Sequence, residues 1–223
     1  MAPVSNRPPT VEETVAGLAR RVERLARSGD RTMLGITGPP GAGKSGLAAA
    51  LRAHLGDRAA LVGMDGFHLA QRELERLGRA ERKGAPDTFD SHGYAALLRR
   101  LRANAEPVVY APLFDRGLEE VVAGAVAVEQ SVPIVITEGN YLLLRRDGWT
   151  AATAQLDAIW YLDLPDDVRR ERLIRRHQRY GRSPESARTW ALVRDERNAE
   201  LVHSGMPLAG LVVRLRDEQV DAG

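Results

Sequence analysis

The sequence predicts an α/β fold in which helices cover both faces of a central parallel β-sheet. Short apolar runs recur along the chain, and segments with apolar residues at helical spacing separate them. Strands that alternate with helices in this way form parallel sheets, because each helix returns the chain to the same end of the sheet. We expect one domain over residues 1–223, since a chain of this length can bury a single core.

The first helix is predicted from a capping signal near the N-terminus. Residues 1–9 are rich in proline and are expected to be loose. Thr10 and Glu13 have the spacing of a capping box, in which two side chains satisfy free backbone N–H groups at the start of a helix. Apolar residues follow at helical spacing as far as Leu25, so we expect the helix to begin directly after Thr10.

The remaining elements can be placed in order along the chain. Strands are predicted at the short apolar runs, which occupy residues 33–37, 60–64, 133–137, 158–162 and 211–215. Helical spacing predicts helices that include residues 46–55 and 94–103. Segments around 108–110 and 121–128 are expected to pair with each other outside the main sheet.

Composition restricts the classes of function. The chain has no Cys, which excludes a disulfide scaffold, a thiolate zinc site and a cysteine nucleophile. No apolar run is long enough to span a membrane, and the N-terminus lacks a hydrophobic signal core, so we expect a cytoplasmic protein.

Lysine occurs only at Lys44 and Lys83, and every other permanent cation is arginine. The two lysines are therefore candidates for a specific role.

Residues 38–45 read GPPGAGKS and match the pattern G-x-x-x-x-G-K-[ST] completely. The motif lies between a predicted strand and a run of helix formers, as the chemistry requires. Backbone N–H groups of such a loop hold phosphate oxygens, Lys44 reaches the terminal phosphates, and the Ser45 hydroxyl binds Mg²⁺. The motif predicts a three-layer P-loop NTPase fold. The predicted phosphate-binding residues are Gly38, Pro39, Gly41, Ala42, Gly43, Lys44, Ser45 and Gly46.

Other phosphate-binding classes fit the same segment less well. Gly41, Gly43 and Gly46 also spell the dinucleotide-binding pattern G-x-G-x-x-G, and Asp65 lies where a carboxylate would hold a ribose hydroxyl. That loop requires no Lys-Ser pair, so the P-loop interpretation is favoured. A GTPase would read guanine with an Asn-Lys-x-Asp loop, and neither lysine follows an asparagine.

Glu138 directly follows the predicted strand at 133–137. The carboxyl end of a parallel strand faces the ligand crevice, so Glu138 can order a water bound to Mg²⁺ beside Ser45. The alternative is a solvated acid at the end of a strand. We predict a metal site at Ser45 and Glu138.

Further motifs follow the phosphate loop in a specific order. They are DGFH at 65–68, RKGAPDTFD at 82–90, YAPLFDR at 110–116, TEGN at 137–140 and an arginine-rich segment at 167–182. Together they resemble the uridine kinase, phosphoribulokinase and bacterial pantothenate kinase superfamily over residues 31–216. Within it the chain is most similar to short bacterial proteins called nucleoside/nucleotide kinase family or fructose-transport-system kinase. The resemblance implies transfer of the γ-phosphate of ATP, with Mg²⁺, to a hydroxyl of a small metabolite, a sugar or a nucleoside.

The resemblance also implies roles for individual residues. Asp65 is the implied base that faces the acceptor hydroxyl. Contacts to the acceptor are implied for Asp65, His68, Lys83, Tyr110, Asp115, Arg116, Glu138 and Asn198. His68 could equally be a wall residue, and Lys83 and Asn198 could be ordinary surface residues. Phe114 and Arg116 stand where pantothenate kinases carry Tyr and His, which argues against pantothenate and, with Asp115, indicates a polyhydroxylated or anionic acceptor.

The arginine-rich segment at 167–182 has several interpretations. Runs of charge are commonly solvated faces and also occur in nucleic-acid-binding proteins. The order of motifs favours an arginine-rich helical lid at about 170–190, because phosphoryl transfer spreads negative charge that arginines stabilise. We expect Arg175 or Arg176 to act on the triphosphate during catalysis, with support from Arg172 and Arg182.

Alternatives to a small-molecule kinase differ in how ATP hydrolysis responds to partners. A nucleotide-dependent switch or chaperone would hydrolyse ATP slowly and ignore small acceptors. A nucleic-acid-binding ATPase would be stimulated by DNA or RNA in a salt-dependent way. The motif order makes a nucleic-acid partner the less favoured interpretation. The predicted strand pair is a possible contact for a homodimer.

Overall fold

A computed structural model describes residues 7–26 and 30–216. In chain order the strands are β1 (Thr10–Glu13), β2 (Thr32–Thr37), β3 (Ala59–Gly63), β4 (Val108–Asp115), β5 (Glu120–Glu129), β6 (Ile134–Glu138), β7 (Ala158–Leu162) and β8 (Leu211–Leu215). The α-helices are α1 (Val15–Leu25), α2 (Lys44–Leu55), α3 (Gln71–Arg76), α4 (Ser91–Ala103), α5 (Asp147–Thr153), α6 (Asp166–Arg179), α7 (Pro184–Thr189) and α8 (Asp195–Ser204).

The predicted fold class is confirmed. Six strands form one sheet in the order β1-β8-β7-β2-β6-β3, and every neighbouring pair is parallel. Side chains of β2 alternate between two cores, with Leu34 and Ile36 on one face of the sheet and Met33 on the other. Helices α1 and α2 cover the first face, and α4, α5 and α8 cover the second. Because both faces are buried, the inner strands β2, β6 and β7 are mainly apolar, as the sequence indicated, whereas the edge strand β1 is more exposed.

The predicted strand pair is also confirmed. Strands β4 and β5 are antiparallel and form a separate two-stranded sheet. Both are longer than the apolar pattern predicted, and β4 runs on to Asp115. The pair packs closely against the turn that follows β3, where a Cβ atom added to Gly66 would lie 2.5 Å from the carbonyl oxygen of Pro112. Glycine at this position therefore allows the strand pair to approach the end of the main sheet.

The predicted start of the first helix is wrong. Residues 10–13 form the edge strand β1, which pairs with β8 in parallel register from Thr10 with Val212 to Glu13 with Leu215. The helix begins after Thr14, whose hydroxyl oxygen accepts a hydrogen bond from the backbone N–H of Gly17 at 3.2 Å. Pairing with β8 gives residues 10–13 backbone partners that a capping box would not provide, so tertiary context overrides the local signal.

Residues 7–9 lack regular structure, and residues 1–6 lie outside the described part of the chain.

The strand predicted at 60–64 is β3, and it ends one residue earlier because Met64 begins a 3₁₀ turn that extends to Phe67. Within the described residues, no helix combines the length and the apolar character that crossing a membrane requires.

The corrected helix start can be tested by paired substitutions. Thr14→Ala should lower the free energy of unfolding by about 1 kcal/mol, because it removes the side-chain acceptor at the N-terminus of α1. Thr10→Ala should change it by less than about 0.5 kcal/mol, since Thr10 is exposed on the edge strand. Urea unfolding followed by circular dichroism measures both. A larger loss for Thr10→Ala would restore the capping box at Thr10.

Candidate active site

The carboxyl ends of β2, β6 and β3 open onto a cavity of about 600 Å³. These strands are neighbours in the sheet, so the segments that follow them meet at one edge. The phosphate loop follows β2, Asp65 follows β3, and Glu138 is the last residue of β6. The strand pair and the helices from α6 to α8 supply the other walls. The cavity therefore gathers residues that the sequence places far apart.

The phosphate loop adopts the backbone geometry that its glycines permit. Gly41 and Gly43 have φ values of +83° and +94°, and Gly43 occupies the cap position before α2. A Cβ atom on Gly41 would lie 2.8 Å from the carbonyl oxygen of Arg169 and 2.7 Å from Cγ of Leu173, so α6 packs directly on the loop. Pro40, Gly41, Lys44 and Ser45 line the cavity. The other predicted loop residues, Gly38, Pro39, Ala42 and Gly46, build the loop and helix start around them.

Lys44 is buried at the base of the loop. Its Nζ donates a hydrogen bond to the carbonyl oxygen of Pro39 at 3.1 Å. Burial lowers the pKa of Lys44 to about 8, and the negative charges of Glu138 and Asp65 oppose that shift. A bound triphosphate would bring the negative charge that favours the ammonium form.

Ser45 and Glu138 lie together beside the loop. The Ser45 hydroxyl donates to Oε1 of Glu138 at 3.2 Å. Burial, and then repulsion from Asp65, raise the pKa of the Glu138 carboxyl above its usual range. Hydroxyl and carboxylate oxygens are ligands that Mg²⁺ prefers, and Mg²⁺ commonly takes its further ligands from substrate phosphates and water. The donor set next to the phosphate loop thus fits a magnesium ion.

Asp65 lies in the turn after β3, and its side chain is 38% exposed at the cavity. Oδ2 of Asp65 is 4.0 Å from Nη2 of Arg116, which follows β4. The carbonyl oxygen of Asp65 is 2.9 Å from Nδ1 of His68. The carboxylate is therefore free of hydrogen bonds to the described residues and can contact a ligand.

The side of the cavity beyond Asp65 combines aromatic and polar residues. His68 packs against Phe89 and Phe114, with ring centroids 4.0 and 5.0 Å away. Lys83 Nζ lies 5.3 Å from the centroid of Phe114. Asn198 of α8 donates through Nδ2 to the carbonyl oxygen of Gly84 at 3.4 Å, so α8 contacts the loop that carries Lys83. The sequence resemblance implies that the acceptor binds here, so we call this region the acceptor half of the cavity. It is lined by His68, Lys83, Phe89, Phe114, Arg116 and Asn198.

Helix α6 and the residues that follow it form another wall of the cavity. Arg176, His177, Tyr180 and Arg182 line the cavity from this segment. Burial lowers the pKa of Arg176, but an arginine keeps its charge at neutral pH. The segment therefore presents cations toward the phosphate loop.

Comparisons with known proteins agree with this geometry. No protein-family model matches the sequence. The chain is 34% identical over 169 residues to the Schizosaccharomyces pombe protein named "Putative uridine kinase", covering 72% of each protein. It is 33% identical to the Escherichia coli protein YggC, over 84% of this chain and 79% of that one. A crystal structure named as a "putative fructose transport system kinase", from a Silicibacter species, matches with a TM-score of 0.79 and 38% identity, over 90% of this chain and 98% of that one.

The chain belongs to the uridine kinase-like superfamily of P-loop kinases. It is therefore an ATP-dependent enzyme that phosphorylates a small molecule. The cavity of this kinase unites a phosphate loop with a carboxylate and an acceptor half, as such a reaction requires.

Some predicted site residues of the kinase do not line its cavity. Arg175 is 71% exposed and pairs with Glu171 on the outer side of α6. Arg172 is on the same helix, half-buried, and is not among the residues that line the cavity. Tyr110 is 61% exposed on β4, and Asp115 accepts hydrogen bonds from the N–H groups of Gly117 and Leu118 in the hairpin turn. Helix rotation directs Arg175 outward, and strand alternation directs Tyr110 outward.

Other residues of the kinase site were missed from the sequence. Trp190, in a π-helical turn after α7, lines the cavity and has the guanidinium carbons of Arg182 and Arg194 at 3.8 and 3.9 Å from its ring centroid. His177 contributes Nε2 to a 2.8 Å contact with Asp195. A π-helical turn of this kind often marks a functional position, but its sequence has no distinctive pattern.

The fully buried Arg169 was also missed. Its guanidinium donates to Glu196 of α8 at 2.7 Å and to the carbonyl oxygen of Pro40 in the phosphate loop at 3.4 Å. Hydrogen bonds from Arg170 and Arg169 lower the pKa of Glu196 to about 2. The sequence did not single out Arg169, because α6 contains several arginines and their order does not show which one is buried.

The two arginines predicted to act on the triphosphate can now be separated. Arg176→Ala should lower turnover by about 10²- to 10³-fold, since it removes a cation that lines the cavity where charge develops. Arg175→Ala is the matched control and should leave turnover within about twofold, because an exposed ion pair contributes little. Steady-state kinetics with ATP and a competent acceptor measure both. Equal losses for the two variants would contradict this assignment.

Proposed function

We propose that this kinase transfers the γ-phosphate of ATP to a hydroxyl group of a small polyhydroxylated metabolite, a sugar or a nucleoside, with Mg²⁺. The observation that carries the proposal is the convergence of Lys44, Asp65 and Arg176 on one cavity. Phosphoryl transfer depends mainly on positioning and on stabilising charge, and these three groups are suited to those tasks.

The nucleotide is held by the phosphate loop and the start of α2. Backbone N–H groups of the loop and the positive end of the helix dipole bind phosphate oxygens, and Lys44 reaches the terminal phosphates. Ser45 and Glu138 would hold Mg²⁺, directly or through water. The ion supplies charge neutralisation between the β- and γ-phosphates when it is bound.

The acceptor hydroxyl is oriented by Asp65. Its carboxylate accepts a hydrogen bond from the hydroxyl and takes the proton late in the step, while the acceptor oxygen bonds to the γ-phosphorus. The bond from the γ-phosphorus to the bridging oxygen breaks, and ADP leaves. Gly66 lets Pro112 of the strand pair approach this turn, so the acceptor half lies close to Asp65.

Arginines from the segment 170–190 complete the site as a lid. Arg176 and Arg182 line the cavity and stabilise the charge that spreads over the transferred group. Several arginines on the outer side of this segment pair with acids of the chain, as in Arg170 with Glu196 and Arg175 with Glu171. Paired arginines favour a structural surface over a nucleic-acid contact.

The proposal extends to the organisation of the protein. Residues 1–223 are proposed to form one kinase domain with its lid at about 170–190. The strand pair exposes Tyr110, Leu113 and Val122, which supports a homodimer contact at this position.

A screen for ADP release tests the activity directly. With ATP and Mg²⁺ alone we expect slow hydrolysis, and a panel of sugars, sugar derivatives and nucleosides should contain a compound that raises the rate and gains phosphate. Mass spectrometry of the product identifies the phosphorylated hydroxyl compound. Stimulation by DNA or RNA but by no small acceptor would contradict the proposal.

The role of Asp65 is tested by Asp65→Asn. Turnover should fall by about 10²- to 10⁴-fold, because the amide keeps the size of the side chain but cannot take the proton. ATP affinity and melting temperature should stay near those of the unaltered protein. Asp57→Asn is a matched control, since Asp57 is exposed in the turn before the amino end of the same strand. Turnover of Asp65→Asn within a few-fold of the unaltered protein would remove Asp65 from the mechanism.

A further inference from the structure

Two cations in the acceptor half keep free hydrogen-bond donors. Lys83 has one partner among the described residues, the carbonyl oxygen of Glu119 at 3.0 Å. Arg116 has no hydrogen bond there, and its nearest carboxylate oxygen, on Asp65, is 4.0 Å away. An ammonium group has three donors and a guanidinium has five, so most of this donor capacity is available to a ligand.

The arginines next to this region are paired in a different way. Arg82, the direct neighbour of Lys83, binds both carboxylate oxygens of Asp87 at 2.9 and 2.5 Å. Arg79 contacts the same carboxylate, and Arg194 pairs with Glu81. The acids of this loop thus pair with arginines that do not line the cavity. Lys83 and Arg116 are left for an anionic partner.

The aromatic rings of the acceptor half are already in contact with protein groups. Lys83 and His68 both pack on Phe114. Phe89 is 7% exposed and makes edge contacts with Tyr141 and Trp149, with ring centroids 5.7 Å away in each case. These rings therefore offer little free surface on which a nucleobase could stack.

His68 adds an acceptor for hydroxyl groups. Its Nδ1 must carry the hydrogen, because the carbonyl oxygen of Asp65 can only accept. Burial lowers the pKa of His68 and so favours the neutral imidazole. In the neutral ring Nε2 is then a bare acceptor, and it has no hydrogen-bond partner among the described residues. Asp65 and His68 can therefore accept hydrogen bonds from two hydroxyl groups of one ligand.

We infer that the acceptor is an anionic polyhydroxylated molecule, such as a sugar acid or a sugar phosphate, whose negative group is bound by Lys83 and Arg116. This inference rests on the proposed function and selects one substrate class within it. The reacting hydroxyl lies at Asp65, a further hydroxyl donates to Nε2 of His68, and the anionic group lies at the two cations. Lys83 then determines whether the enzyme prefers an anionic acceptor to a neutral one.

The inference is tested with matched pairs of neutral and anionic acceptors. Glycerol is compared with glycerate, glucose with gluconate, and ribose with ribose 5-phosphate, and uridine is included as a neutral nucleoside. We expect kcat/KM for the anionic member of at least one pair to exceed that of its neutral partner by about tenfold or more. The carboxylate and phosphate pairs show which anion the site prefers. Equal or better use of the neutral compounds, uridine included, overturns the inference and leaves the proposed function intact.

Variants of Lys83 connect the preference to the residue. Lys83→Met should lower kcat/KM for the preferred anionic acceptor by about ten- to a hundredfold, mainly through KM, without changing ATP affinity or melting temperature. Lys83→Arg should retain most of the preference. Arg82→Met is the matched control, because it removes a neighbouring positive charge that does not line the cavity. A loss for Lys83→Met that is equal for anionic and neutral acceptors overturns the inference. If the unaltered protein binds ATP but phosphorylates none of these acceptors, the proposed function fails as well.

Discussion

The buried guanidinium of Arg169 joins the segments that must meet for phosphoryl transfer. It donates to Glu196 of α8 and to the carbonyl oxygen of Pro40, while the backbone of the same residue packs on Gly41. The phosphate loop, α6 and α8 are thus held together at one residue. Removing one partner of a buried ion pair commonly costs several kcal/mol, because the remaining charge is left without compensation. This contact therefore constrains where α6 with Arg176 and α8 with Asn198 lie relative to the phosphate loop.

Two buried side chains of the cavity, Lys44 and Glu138, are of the kind whose charged forms a nucleotide and a metal ion would stabilise. Burial lowers the pKa of Lys44 and raises that of Glu138, so each charged form is disfavoured by its surroundings. A triphosphate favours the charged lysine, and a divalent cation favours the charged carboxylate. Nucleotide and metal would add to the opposite charge that Lys44 and Glu138 already supply to each other. The Asp65 side chain is partly exposed at the same cavity.

The proposed nucleotide and acceptor sites are built from different parts of the fold. The main sheet positions the phosphate loop and Glu138, whereas the strand pair and the loop before α4 position Phe114, Arg116 and Lys83. The strand pair is not hydrogen-bonded to the main sheet, and its contact with the site depends on the close approach at Gly66. Substrate choice can therefore vary between relatives without disturbing the nucleotide site, which is consistent with the different names of the proteins that this chain resembles.

Local chemistry in the sequence was sufficient to determine the fold class, most strands and the phosphate loop. Buried parallel strands need continuous apolar runs, and a phosphate loop needs glycines and a lysine at fixed spacing, so both are visible in adjacent residues. Asp65 and Glu138 could be placed because the carboxyl ends of parallel strands meet at one edge.

Tertiary structure alone decided the rest. Thr10 joined a strand because β8 was available to pair with it. Arg176 faces the cavity and Arg175 does not, because each residue of a helix turns by about 100° and only packing sets the absolute rotation. Trp190, Arg169 and the free donors of Lys83 depend on partners far away in the chain, and no local pattern encodes such contacts.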